Sequence, residues 1–91
     1  MKITVTRSGG IAGIRRTWIV VVEEQADSED WNRLVSDLPW DARVREPAQP
    51  DRFVYEIRAS RRRITLPERR VTGPWRELVD RVRAADEPSA Q

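Results

Sequence analysis

This 91-residue chain is predicted to adopt an α+β fold in the order β-β-α-β-β-α, a four-stranded, mainly antiparallel sheet with two helices packed on one face. Three observations point there. Two pairs of segments alternate polar and apolar residues with the period of two of a half-buried strand. An amphipathic helix pattern follows each pair, and the two share a signature, Trp31-x-x-Leu34-Val35-x-x-Leu38 and Trp75-x-x-Leu78-Val79-x-x-Val82. The connection within each strand pair is too short for a parallel crossover, so the pairs are antiparallel.

Residues 2–8 (KITVTRS) put Ile3 and Val5 on one face and Lys2, Thr4 and Thr6 on the other. Gly9, Gly10 and Gly13 then break the pattern around Ile11 and Ala12, and glycines at this density favour a hairpin connection longer than two residues. Residues 15–24 (RRTWIVVVEE), rich in β-branched side chains, read as the second strand, and its buried face is left open. Asp27 or Ser28 caps a helix whose first turn carries Glu29 and Asp30, where carboxylates suit the positive end of the helix dipole. Pro39 stops it, and residues 39–51 form a long connection with three prolines. Residues 52–59 place Phe53, Tyr55, Ile57 and Ala59 on one face, residues 60–62 turn, and Ile64 and Leu66 point inward on a fourth strand. Pro67 places the end of that strand at a sheet edge or leaving the sheet. Thr72 or Gly73 starts the last helix, with Pro74 in its first turn. Residues 1–85 therefore read as one domain and 86–91 as a flexible tail.

Composition removes several classes of function. There is no Cys and no His, so the chain has no disulfide, no thiol nucleophile, no Ser-His pair and no imidazole for zinc or for base catalysis. The carboxylate pairs Glu23/Glu24 and Glu29/Asp30 flank a strand end and a helix start, and no apolar enclosure raises a carboxyl pKa for acid-base work. We read the chain as a non-enzyme without cofactor or metal. Its longest apolar run, Trp18 to Val22, falls far short of the roughly 20 residues that cross a bilayer. The N-terminus opens on a strand pattern without a signal-peptide core, which reads as cytoplasmic.

Three features are candidates for function. The segment Ser8-Gly9-Gly10-Ile11-Ala12-Gly13-Ile14-Arg15 carries two large aliphatic side chains at the tip of a turn. Either Ile11 and Ile14 fold back to seal the core, or they anchor in a partner's pocket. Residues 52–70 carry seven Arg against Glu56 and Glu68, and Arg58, Arg61, Arg62 and Arg63 are the candidates for a phosphate backbone. The nearby aromatics Phe53 and Tyr55 lie on the core face, so stacking platforms are missing and a solvated hairpin is the simpler reading. Trp40, off both helical stripes, either caps the core or sits at an interface.

The opening Met1-Lys2-Ile3-Thr4-Val5-Thr6-Arg7-Ser8-Gly9-Gly10, the Trp18 strand, the Phe53-Val54-Tyr55 strand and the closing Gly73-Pro74-Trp75-x-x-Leu78-Val79 resemble the emfourins, protein inhibitors of protealysin-like proteases. The resemblance implies a bacterial cytoplasmic inhibitor of a thermolysin-like zinc metalloprotease, encoded beside its target. It also implies a protease-binding surface, which we assign to Ser8, Gly9, Gly10, Ile11, Ala12, Gly13, Ile14 and Arg15 as a wedge, with Trp40 or the 39–51 connection as a second contact. Such proteases favour a bulky aliphatic residue just past the scissile bond, a pocket that Ile11 or Ile14 would fill. With no Cys or His to take the zinc, steric occlusion of the cleft is the favoured mode. An Arg-rich nucleic-acid-binding module is the runner-up and predicts a steep loss of affinity with salt.

Overall fold

Alternation in the opening residues becomes β1 (Lys2–Gly9), whose inward positions Ile3 and Val5 are completely buried. The computed structural model describes residues 1–9, 13–41 and 53–86. β1 pairs antiparallel with β2 (Arg16–Val21), Ile3 opposite Val20 and Val5 opposite Trp18. Its other side pairs antiparallel with β3 (Phe53–Ala59), Val5 opposite Ile57 and Gly9 opposite Phe53. β4 (Arg62–Pro67) completes the sheet against β3, giving the order β2-β1-β3-β4, with Pro67 at an edge strand as its missing N–H requires.

One face of the sheet is apolar, and both helices lie on it. Trp31 and Val35 of α1 (Ser28–Asp37) and Trp75, Leu78, Val79 and Val82 of α2 (Pro74–Asp86) join Ile3, Val5, Trp18, Val20, Ile57 and Leu66 in a single core. The predicted α+β architecture is the observed one. The open question of β2 is answered as well: Trp18 and Val20 point inward, and Ile19 faces out, 43% exposed.

Two details depart from the sequence reading. β2 stops at Val21, and Val22–Glu24 form a short 3-10 turn. Strict alternation through residue 24 would bury Glu24 on the Val20 and Val22 face. The turn keeps Val22 in the core, its N–H donating to the Met1 carbonyl at 2.9 Å, and leaves both Glu23 and Glu24 exposed. The Met1 ammonium donates to the Glu23 carboxylate, and that hydrogen bond holds the Glu23 carboxyl below its ordinary range. At the other end of the chain Asp86, assigned to the tail from sequence, is the last residue of α2. Its carboxylate accepts the Ile19 N–H at 3.1 Å, occupying a backbone donor that an edge strand would otherwise offer to another chain. Residues 87–91 lie outside the described residues.

Asp27 precedes α1, but its side chain does not cap the helix. One carboxylate oxygen accepts the Trp31 indole N–H at 2.9 Å and the other accepts Arg81 of α2 at 3.0 Å, so Asp27 ties the two helices together. Arg81 also lies over the Trp31 ring, 5.0 Å from its centre. Asp27→Ala is expected to lower unfolding stability by about 1–2 kcal/mol, chiefly through the lost charge-assisted bond to the half-enclosed indole. Asp27→Asn, which keeps an acceptor for Trp31, should recover about half. Urea titrations of the three proteins decide this, and an unchanged midpoint for the Ala variant removes Asp27 as the tie.

Candidate functional site

The antiparallel register puts the two sequence candidates at opposite ends of the molecule. Gly9 opposes Phe53, so the connection between β1 and β2 leaves from that end of the sheet. Ile3 opposes Ala59, which puts the turn between β3 and β4 at the other end. The six strand steps from Ile3 to Gly9 separate the two by about 20 Å. One partner surface of ordinary size cannot be centred on both.

At the Gly9 end, Ser8 and Gly9 close β1, and Gly9 takes a φ of +108° that only glycine adopts without strain. Gly10, Ile11 and Ala12 lie outside the described residues. Gly13 has a φ of +63°, and Ile14 and Arg15 are exposed on the way into β2. Ile14 does not fold back onto the core. It is 62% exposed, more than Ile19, the other large hydrophobic residue left in solvent among the described residues.

Behind this tip lies a constellation not singled out from sequence. Arg7 of β1 and Arg16 of β2 are direct cross-strand partners, and both sit over the Trp18 indole, at 5.6 and 5.1 Å from its centre. Arg83 of α2 reaches the same ring at 4.9 Å, and Arg7 also lies 4.5 Å above Phe53. Trp18 is 2% exposed under this cover, and its indole N–H is buried without a hydrogen-bond partner. Alternation already carries the signal. Arg7 falls on the inward phase of Ile3 and Val5, Arg16 on that of Trp18 and Val20, and Arg83 on the stripe of Trp75 and Val79. A charge on the apolar phase of three elements at once is the pattern to look for.

Trp40 takes the core-capping alternative. Its indole N–H donates to the Val35 carbonyl at 2.8 Å, and its ring meets Trp75 edge-on at 5.1 Å, half-buried against the core. The rest of the 39–51 connection from residue 42 lies outside the described residues.

At the far end, Arg58 and Arg63 are cross-strand partners on the solvent face, Arg61 is in the turn and Arg62 starts β4, all exposed. They meet no aromatic ring among the described contacts. Among the described residues no group of three carboxylates is placed to hold a metal ion, and no helix is long and apolar enough to cross a membrane.

A protein-family model described as Emfourin matches residues 5–83, from the middle of β1 to near the end of α2. No curated protein and no solved structure matches the chain.

Proposed function

The chain belongs to the emfourin family, inhibitors of metalloproteases of the protealysin type, and from that premise we propose that it occludes the active-site cleft of a thermolysin-like zinc protease with the connection between β1 and β2. It is an inhibitor and not an enzyme. The observation that carries the occlusion reading is Ile14, a bulky aliphatic side chain left 62% exposed beside a glycine of positive φ, at the end of a four-stranded sheet. An exposed aliphatic side chain is a poor use of a thin core but a good anchor for an apolar pocket. The hydrogen-bonded sheet holds Gly9 and Arg16, the residues from which the connection leaves and to which it returns, and fixing these ends lowers the ordering cost of binding.

Occlusion makes a kinetic prediction. Against a thermolysin-like protease cleaving a short peptide, the apparent inhibition constant rises linearly with substrate concentration, and a small zinc-directed hydroxamate seated in the cleft excludes the protein. Inhibition that ignores substrate concentration, with hydroxamate and protein bound together, would place the contact elsewhere and overturn the occlusion mode.

A further inference from the structure

We propose that Arg7, Arg16 and Arg83 form a basic collar at the base of the tip that receives carboxylate side chains on the rim of the target protease's cleft. The inference rests on the inhibitor reading and adds to it the chemistry of the surface around the wedge.

The argument starts from an imbalance of charge. Like charges placed directly opposite on neighbouring strands are destabilising, and Arg7 and Arg16 are such a pair. Arg83 is brought to the same indole from α2. Among the described residues none of the three guanidiniums makes an ion pair or hydrogen bond to a carboxylate, whereas Arg76 and Arg81 both do. Asp86, one helical turn beyond Arg83, uses its carboxylate on the Ile19 N–H. Stacking on Trp18 and Phe53 holds the guanidiniums in place while leaving their in-plane N–H groups unused. Arg7 and Arg83 are half-buried and Arg16 is exposed, so the cluster is open to a partner. Fixed, planar donors with no carboxylate acceptor among the described residues suit bidentate carboxylates.

Position supplies the partner. Residues 7 and 16 are the last cross-strand pair before the tip, so a tip inserted in a cleft brings the collar to the lip of that cleft. The occupant is therefore acidic protein surface beside the substrate groove. Charges at such a rim act mainly on encounter, raising the association rate and making it depend on salt.

The test compares the parent with Arg7→Gln/Arg16→Gln/Arg83→Gln and with Ile14→Asp, using stopped-flow association with a thermolysin-like protease. Raising NaCl from about 20 to about 300 mM should slow the parent roughly tenfold. The triple variant should associate about 10- to 100-fold more slowly at low salt and lose most of the salt dependence, while still inhibiting fully at saturating concentration. A triple variant with the parent's rate and salt slope overturns the collar and leaves occlusion standing. If Ile14→Asp inhibits like the parent while the collar variant is slowed, the wedge fails and the collar stands. Should the parent inhibit no such protease, both fall. A protease-independent arm titrates penta-glutamate, and separately a DNA duplex, into 15N-labelled protein. Shifts confined to the Arg7, Arg16 and Arg83 side chains and the Trp18 indole with the acidic peptide support the collar. Shifts at Arg58, Arg61, Arg62 and Arg63 instead, or tighter binding of the duplex at the collar, overturn it. Arg→Lys at the three positions separates charge from stacking, because Lys keeps the steering and should restore most of the rate.

Discussion

Leu78→Ala is expected to remove about 2–5 kcal/mol of folding stability. Leu78 is completely buried on α2, between Trp75 and Val82, in a core that the sheet fills from one face only. Deleting its isopropyl group forfeits the transfer free energy of three carbons and leaves a cavity that neighbouring strands cannot close without breaking register. A domain of this size buries a modest fraction of its chain surface, so its total stability lies toward the low end of the usual 5–15 kcal/mol. A loss of this size populates the unfolded state visibly near 25 °C. Leu34→Ala is the control: Leu34 lies on the same kind of helical stripe but is only partly buried, and its truncation should cost about 1 kcal/mol. Urea unfolding followed by tryptophan emission reads both. Equal losses at the two positions would mean that α2 is not the main lid of the core.

The contrast between those two leucines also marks how far the sequence could be read. Periodicity placed both on a stripe, because amphipathic spacing reports which face turns inward. It does not report how deeply, since depth depends on what stands opposite: a four-stranded sheet under Leu78, and the polar groove toward Glu77 and Arg81 of α2 for Leu34. The alternation of β1 and β3 was legible because every second residue turns inward, Ile3 and Val5 in one and Tyr55, Ile57 and Ala59 in the other. β2 was legible up to Val21 and misleading after it, where the run of valines masked a turn forced by Glu24. Asp27 was legible as a helix-start residue, but its bonds to Trp31 and Arg81 depend on the antiparallel approach of two helices that spacing alone does not fix. The same limit hid the arginine collar. Each of its members violates a local apolar phase, but only the pairing of β1 with β2 and the path of α2 bring the three onto one indole.

Ile14→Asp is expected to weaken inhibition by about 30- to 1,000-fold with no loss of stability. The side chain is 62% exposed and in contact with solvent, so folding neither gains from the isoleucine nor suffers from the aspartate. In a complex the balance reverses. Burying the isoleucine in an apolar pocket contributes about 1.5–3 kcal/mol, and an aspartate there must lose its hydration without a partner, which brings the difference to the roughly 2–4 kcal/mol of an interface anchor. Ile19→Asp provides the comparison that gives this meaning. Ile19 is 43% exposed, of the same type, and on the solvent face of β2 away from the tip, so its replacement should leave inhibition within about twofold of the parent. Ile11→Asp, from the same glycine-rich segment, tests whether one or both isoleucines anchor. Thermal midpoints and inhibition constants measured side by side separate binding from folding. A folded Ile14→Asp/Ile11→Asp double variant that inhibits as well as the parent means the tip does not enter the cleft, because no apolar pocket accepts two carboxylates without penalty.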